Sequence, residues 1–135
     1  MNIKTLTAAL ATAALLAACG TTKTTAPAAG AKPSTLTQAA DGTLIGPDGR
    51  TLYVFAKDVA GSGKSTCVDA CAATWPPLGV AATAVPLGDY TIITRADGSK
   101  QWAFKGMPLY YYAKDTKSGD RLGDGVGGNW KIAKP

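Results

Sequence analysis

The stretch Leu52-Tyr53-Val54-Phe55-Ala56-Lys57-Asp58 occurs a second time as Leu109-Tyr110-Tyr111-Tyr112-Ala113-Lys114-Asp115. Both copies follow the pattern L-Y-x-[FY]-A-K-D, at a period of about 56 residues that is typical of one repeated supersecondary unit. The two copies therefore predict a duplicated fold.

Two further features recur in the same order and at nearly the same offset. Asp41-Gly42 returns as Asp97-Gly98, and Trp75 returns as Trp130. Because shared order and shared spacing are unlikely to arise independently, these features support the duplication. The sequence therefore predicts a single β domain, 34–135, made of two repeats at about 34–82 and 89–133.

Each repeat is predicted to supply three or four short antiparallel strands joined by tight turns that are rich in Gly, Pro and Asp. In the first copy of the motif, Leu52, Val54 and Ala56 fall on one face of a strand, and Tyr53 and Phe55 fall on the other. Apolar bulk on both faces predicts a central, buried strand. Two such units favour one mainly β domain, either a small sandwich or a partly closed barrel. The predicted strands are 35–40, 43–45, 51–57, 89–94, 100–104, 109–114 and 130–133.

The pattern Y-x-[FWY]-x-x-D resembles the tandem motif of a family of secreted bacterial lipoproteins. The resemblance runs from about Ser34 to Ala133 and has no clear departure from the family pattern. It includes the segments 48–53, 67–78, 95–98 and 108–110. The family has no established biochemical activity, so the resemblance implies an exported lipoprotein and names no reaction.

The N-terminus has the form of a targeting segment. Lys4 precedes an apolar run from Leu6 to Ala18, which is too short to span a bilayer and fits a signal-peptide core. The run ends in Leu16-Ala17-Ala18-Cys19, which resembles the bacterial lipoprotein cleavage box. In that interpretation residues 1–18 are removed, and acyl chains on Cys19 bind the lipid bilayer. An ordinary secretory signal with a chance cysteine is the alternative.

Residues 19–33 comprise Cys19 and a stretch of Thr, Ala, Gly, Pro and Lys that predicts a disordered tether. Its reach is on the order of 20 Å, so the folded part is expected close to the membrane surface. Gly20 follows the predicted lipidation site, and the resemblance to bacterial lipoproteins, in which an Asp at this position is the usual retention signal, implies sorting to the outer membrane in a cell that has two membranes.

The composition excludes several classes of function. The chain contains no His, and its nine acidic residues are all Asp. Serine and cysteine catalysis of the usual kind, and His-ligated metal sites, are therefore excluded. The net charge of +5 comes from scattered basic residues, which indicate a solvated surface rather than a nucleic-acid partner. The stretch from Gly61 to Thr66 resembles part of a phosphate-binding loop, but Asp58 stands where the first Gly belongs, so no nucleotide is expected.

Cys67 and Cys71 are the thiols that remain once Cys19 is lipidated, and in an oxidising envelope they are expected to form a disulfide. Thr66 and Asp69 resemble a capping box that would begin a short helical turn near 67–74. Cβ atoms at helical i,i+4 positions lie further apart than a disulfide allows, so the turn should be distorted. A redox-active pair and a metal site with two thiolates stay open as alternatives.

The position of the motif residues suggests structural roles. Tyr53 and Tyr110 are expected in the core, with Asp58 and Asp115 accepting backbone N–H bonds where a strand gives way to a loop. The remaining motif aromatics should join the two halves, although some rings, Trp102 and Tyr112 above all, could instead line an exposed sugar- or peptide-binding face. The repeat-motif residues singled out are Tyr53, Phe55, Asp58, Trp75, Tyr110, Tyr112, Asp115 and Trp130.

Three functions compete at this point. The sequence favours a membrane-anchored, non-enzymatic envelope lipoprotein that binds or scaffolds an envelope protein or glycan. The first alternative is a redox or metal-handling protein that uses Cys67 and Cys71, and the second is an enzyme with an acid–base pair of Asp residues, Asp58 and Asp115. No cofactor is expected, and a weak calcium site is the alternative there, with the ligands Asp115, Asp120 and Asp124.

Overall fold

The computed structural model of the chain describes residues 36–135. The predicted signal peptide, the lipidation site at Cys19, the tether and the start of the first predicted strand lie outside these residues. Within the described part, no helix has the length and apolar character needed to cross a membrane.

The fold is mainly β, as predicted, and its strands form three small antiparallel sheets. The sheets pair Thr37–Gln38 with Leu44–Ile45, Tyr53–Phe55 with Trp130–Ile132, and Lys100–Phe104 with both Tyr90–Thr94 and Met107–Pro108. Three strands belong to the first repeat and four to the second, and over residues 36–135 they do not close a barrel. The elements are β1 (Thr37–Gln38), β2 (Leu44–Ile45), β3 (Tyr53–Phe55), α1 (Ala70–Thr74), β4 (Tyr90–Thr94), β5 (Lys100–Phe104), β6 (Met107–Pro108), a 3-10 turn (Val126–Gly128) and β7 (Trp130–Ile132).

The second copy of the motif does not form the strand that was predicted at 109–114. Only isolated bridges form there, from Tyr110 to Tyr53 and to Pro77. The physical reason lies in the partner segment, because Pro76 and Pro77 carry no N–H and cannot donate to a regular ladder. The first copy pairs instead with β7, which has N–H groups throughout, and a regular strand results.

The two repeats interleave through their closing segments. Strand β7, from the second repeat, pairs with β3 of the first, and the Pro77 segment of the first repeat pairs with Tyr110 of the second. Between these pairings, Tyr53 N–H donates to the Tyr110 carbonyl at 2.8 Å, and Tyr110 N–H donates to the Tyr53 carbonyl at 2.9 Å. The reciprocal bonds place an approximate two-fold axis between the two tyrosines.

Strand β3 separates two hydrophobic clusters, as its predicted alternation requires. Leu52 and Val54 belong to the first cluster, and Tyr53 and Phe55 belong to the second. The strand is paired on both sides, to β7 and to Tyr110, which confirms its central position. The second cluster collects the motif aromatics: its buried members are Tyr53, Phe55, Cys67, Trp75, Tyr110, Tyr112 and Trp130.

The short helix begins later than predicted, at Ala70 rather than Cys67. The expected capping box is wrong, because the N–H and Oγ1 of Thr66 both donate to Asp58 Oδ1, at 2.7 and 2.6 Å. Asp69 takes the N-cap position with φ 53° and makes no side-chain capping bond. The loop tied down by Asp58 therefore overrides the local helix signal.

A glycine contact between the repeats supplies the first prediction. Gly106 has φ +82°, and a Cβ built on it would lie 2.5 Å from the backbone N of Gly61. We expect Gly106→Ala to lower the free energy of unfolding by about 1–3 kcal/mol through overpacking, in addition to about 1–2 kcal/mol for the left-handed backbone. Urea denaturation measures the loss.

The matched control is Gly63→Ala. Gly63 also has a positive φ, +69°, but a Cβ built on it would meet no atom within 4 Å. This variant should show the backbone cost alone. Equal losses in the two variants would contradict the packing role of Gly106.

Candidate functional site

The motif residues meet as two crossed Tyr–Asp pairs, Tyr53 with Asp115 and Tyr110 with Asp58. Tyr53 Oη donates to Asp115 Oδ2 at 2.5 Å, and Tyr110 Oη donates to Asp58 Oδ2 at 2.6 Å. Each tyrosine therefore binds the aspartate of the other repeat. All four residues are buried, so the motif is completed only when the two repeats associate.

The second oxygen of each aspartate holds the loop that follows the motif. Asp58 Oδ1 accepts the two bonds from Thr66, and Asp115 Oδ1 accepts the N–H of Leu122 at 3.0 Å. These are bonds of the kind predicted from the position of both residues at the end of the motif. Because a buried carboxylate without partners is costly, the tyrosine and the loop together satisfy each group. The tyrosine partner was not foreseen.

Four rings stack in a line, which we call the aromatic column: Phe55, Trp130, Trp75 and Tyr112. Phe55 and Trp130 have ring centroids 4.3 Å apart, the two Trp rings 3.7 Å apart with an interplanar angle of 5°, and Trp75 and Tyr112 4.2 Å apart. Each contact in the column joins a ring of one repeat to a ring of the other. The column is therefore a second interface across the two-fold axis.

The tyrosines of the crossed pairs meet the column edge-on. Tyr53 contacts Trp75 at 5.5 Å and 76°, and Tyr110 contacts Trp130 at 5.2 Å and 90°. Edge-to-face contacts of this kind contribute about 0.5–1.5 kcal/mol beyond the buried area. Column and crossed pairs thus form one buried unit.

No exposed aromatic face exists in this part of the chain. The three Trp, five Tyr and two Phe residues of the sequence all lie within 36–135, and all are buried. Trp102 is 3% exposed and Tyr112 is 6% exposed. The alternative in which these rings line a sugar- or peptide-binding face is therefore wrong.

The two crossed pairs differ in what else contacts the tyrosine hydroxyl. Tyr53 Oη accepts the backbone N–H of Gly123 at 3.3 Å. Tyr110 Oη instead lies 2.7 Å from Ser65 Oγ, which accepts a bond from Arg95 Nη1 at 2.9 Å. The Arg95 guanidinium is therefore connected, through Ser65, to the Tyr110–Asp58 pair and not to the Tyr53–Asp115 pair.

Arg95 is a buried residue that the sequence interpretation did not single out. Its guanidinium also donates to Gln101 Oε1 at 2.7 Å and to the Cys67 carbonyl at 2.6 Å. Gln101 in turn donates to the Leu109 carbonyl at 2.7 Å. The repeat aligns Arg95 with Ala39, because the same turn follows both residues, but this alignment alone does not predict that the guanidinium is buried.

Burial and the neighbouring carboxylate both raise the pKa of the two tyrosines. Burial is the larger cause for Tyr53, followed by its bond to Asp115. Burial likewise leads for Tyr110, followed by its bond to Asp58. Both pKa values lie well above the ordinary value of 10.0, so each hydroxyl keeps its proton and acts as a donor near neutral pH.

The predicted disulfide between Cys67 and Cys71 is confirmed, with 5.2 Å between the Cα atoms. Cys67 lies outside the helix and is fully buried in the cluster of motif aromatics. Because α1 begins only at Ala70, the geometric conflict of a helical i,i+4 disulfide does not arise. With both sulfurs joined, a site with two thiolates is not formed.

Reduction of this disulfide is expected to lower the free energy of unfolding by about 2 kcal/mol, the chain-entropy value for so small a loop. The fold should survive, since the crossed pairs and the column remain. Denaturant melts with and without a reductant measure the loss, and the Cys67→Ser, Cys71→Ser double variant should match the reduced protein. Free thiols in the unfolded, unreduced chain beyond Cys19 would contradict the bridge.

The aspartates of the alternative calcium site do not converge. Asp115 is bound to Tyr53 and Leu122, Asp120 Oδ2 accepts the N–H groups of Thr116 and Lys117, and Asp124 Oδ1 accepts the N–H of Ile132. Among residues 36–135 no three Cys or Asp side chains are grouped to hold a metal ion. The loop bonds account for these carboxylates.

One protein family has a model that matches the chain. The model of a family described as a secreted repeat of unknown function matches it twice, over residues 35–79 and 91–134. No curated protein and no solved structure matches it. The two matches coincide closely with the interleaved repeats described above, and together they cover more than half of the sequence. The chain therefore belongs to the family of secreted repeats of unknown function.

Proposed function

We propose that the protein is a lipid-anchored, non-enzymatic envelope module that holds a rigid β domain near the membrane and binds or scaffolds an envelope protein there. The observation that carries the proposal is the burial of the motif: its tyrosines, aspartates and column aromatics are all directed into the contact between the repeats. A motif used in this way stabilises an architecture and leaves recognition to the surface. The Leu16-Ala17-Ala18-Cys19 box supplies the expected anchor.

The crossed pairs fix loops that carry exposed aliphatic side chains. Val59 follows Asp58 directly and is 65% exposed, and Leu122, whose N–H binds Asp115, is 61% exposed. Val68 and Val85 are the other large apolar residues exposed within 36–135. Aliphatic side chains on ordered loops suit an apolar protein surface better than a glycan, so we favour a protein partner.

The experiment starts with the anchor in the native host. Intact mass of the protein from the membrane fraction should show a chain that begins at Cys19 and carries a diacylglyceryl mass. Cys19→Ser should remove that mass and release the protein from the membrane fraction. A wild-type chain that begins elsewhere and carries no lipid would contradict the anchor.

The same cells test binding. A photo-reactive residue placed at position 59 or 122 should give a discrete crosslinked protein, while the same residue at Thr91, an exposed strand position, should not. Equal adducts at all three positions, or none, would contradict a binding surface on the motif loops. The two experiments are independent. A lipidated protein that gives no crosslink would support the anchor and contradict the binding of a partner by these loops.

A further inference from the structure

The geometry of the aromatic column is unusual for side chains that only fill a core. Aromatic pairs generally prefer offset or edge-to-face contacts with centroids about 4.5–7 Å apart. The Trp75 and Trp130 rings are nearly parallel, with centroids 3.7 Å apart, and both are extended by a further stacked ring. Burying these rings does not by itself require such regular stacking. We therefore ask what chemistry a stacked pair of indoles can carry out.

Stacked indoles have a chemical property that single indoles lack. A pair in face-to-face contact can share the positive charge left when one electron is removed, and this sharing makes the pair easier to oxidise than an isolated ring. Within 36–135, Trp102 offers the comparison: it is buried to a similar degree but belongs to the other cluster. Among the three indoles, the stacked pair is therefore where we expect an electron to be removed most easily.

The crossed pairs add a place for a proton. Each column indole is touched edge-on by a tyrosine whose hydroxyl already donates to a carboxylate oxygen, at 2.5 Å for Tyr53 and 2.6 Å for Tyr110. A phenol that loses an electron becomes strongly acidic and must release its proton. Here the proton can cross a bond that is present before the reaction, to Asp115 or to Asp58.

We propose that the column and the crossed Tyr–Asp pairs form a one-electron relay. An outer-sphere one-electron oxidant, such as an oxidised metal complex, takes an electron from the Trp75–Trp130 pair. Tyr53 then gives one electron to the indoles while its phenolic proton passes to Asp115, which leaves a neutral tyrosyl radical and intact indoles. A one-electron reductant of the ascorbate class returns the electron, and the proton moves back from Asp115 to the phenolate oxygen.

The two tyrosines are not equivalent in this relay. Removal of an electron adds positive charge to the Tyr–Asp pair that supplies it, and only one of the two pairs lies near a cation. Tyr110 is connected through Ser65 to the buried guanidinium of Arg95, whereas Tyr53 is connected to a neutral backbone N–H. A nearby cation opposes the added charge. The radical should therefore settle on Tyr53. This role goes beyond the proposed binding function and does not depend on it.

The test uses the purified full-length protein and photogenerated tris(bipyridine)ruthenium(III) as the oxidant. Freeze-quench electron paramagnetic resonance should show a tyrosyl radical, identified by the change of its hyperfine pattern on incorporation of ring-deuterated tyrosine. Tyr53→Phe and Asp115→Asn should each lower its yield several-fold. Tyr110→Phe should lower it less.

Matched controls come from the same chain. Tyr90 is buried to 3% exposure but donates no hydrogen bond to a carboxylate within 36–135, so Tyr90→Phe and Trp102→Phe should leave the yield unchanged. Tyr53→Phe keeps the ring, and circular dichroism confirms that each variant is folded before its yield is compared. Absence of a tyrosyl radical, or equal losses in the Tyr90 and Tyr53 variants, would overturn the relay.

Discussion

Replacing Tyr110 with alanine is expected to lower the free energy of unfolding by about 3–5 kcal/mol, the range for aromatic truncation in a core. The side chain is fully buried, meets Trp130 edge-on and donates to Asp58. Truncation opens a cavity beside the column and leaves a buried carboxylate oxygen without its donor. Tyr53→Ala should have a loss of the same size, because Tyr53 is equally buried, meets Trp75 edge-on and donates to Asp115.

The conservative variants separate packing from hydrogen bonding. Tyr110→Phe keeps the ring and removes only the hydroxyl, so it should lose about 1–3 kcal/mol, the cost of an unsatisfied buried acceptor. Denaturant melts of the Ala and Phe variants measure both effects. Wild-type stability in the Ala variants would show that the motif is not structural, and a direct role in binding would then be favoured.

Double-mutant cycles test the crossing itself. Tyr110→Phe combined with Asp58→Asn should show a coupling of about 0.5–3 kcal/mol, as residues in one hydrogen bond do. Tyr53→Phe combined with the same Asp58→Asn should be closer to additive, although both residues belong to one copy of the motif. The reverse outcome would mean that each tyrosine binds the aspartate of its own repeat.

Much of the fold could be predicted because local patterns and tertiary structure agree. The alternation of Leu52, Tyr53, Val54 and Phe55 is a period-two pattern with apolar bulk on both faces, and β3 lies between two clusters as that pattern requires. The repeat predicted equivalent places for Trp75 and Trp130, and the two rings stack on each other. Neither prediction required a long-range partner to be identified.

The predictions that failed depend on partners elsewhere in the chain. The 109–114 segment has the composition of a strand, but whether it forms one depends on Pro76 and Pro77 in the other repeat. The capping box predicted at Thr66 does not form, because the N–H and the hydroxyl of Thr66 both donate to Asp58, eight positions earlier. Local helix propensity is outweighed where a tertiary hydrogen bond uses the same group.

The arrangement of the site was beyond sequence reasoning for a different reason. The two motif copies carry the same Tyr and Asp, so sequence cannot distinguish crossed pairing from pairing within one copy. Arg95 is a basic residue, and basic residues usually lie at the solvated surface, so its type alone does not predict burial. Its burial follows only from the position of Ser65, Gln101 and the Cys67 carbonyl, which the folded chain brings together.

The aromatic column gives the other large expected effect. Trp75→Ala should lower the free energy of unfolding by about 3–5 kcal/mol, because the indole stacks on Trp130 and Tyr112 and is touched edge-on by Tyr53. Trp130→Ala should match it, since Phe55 and Tyr110 occupy the equivalent places. Urea denaturation at two wavelengths of circular dichroism measures each loss and checks that unfolding stays two-state.

The stronger test of the column is whether its members act as one unit. A domain of this size has a total stability of about 5–15 kcal/mol, so the double variants should be measured in an osmolyte such as trimethylamine N-oxide. Trp75→Ala combined with Trp130→Ala should lose less than the two single losses together, by about 0.5–3 kcal/mol, because the first truncation already breaks their shared contact. Trp75→Ala combined with Trp102→Ala should be additive, because Trp102 packs in the other cluster. Additivity in both combinations would mean that the stacked rings are independent core residues, and that the two repeats are joined by the crossed Tyr–Asp pairs without cooperation from the column.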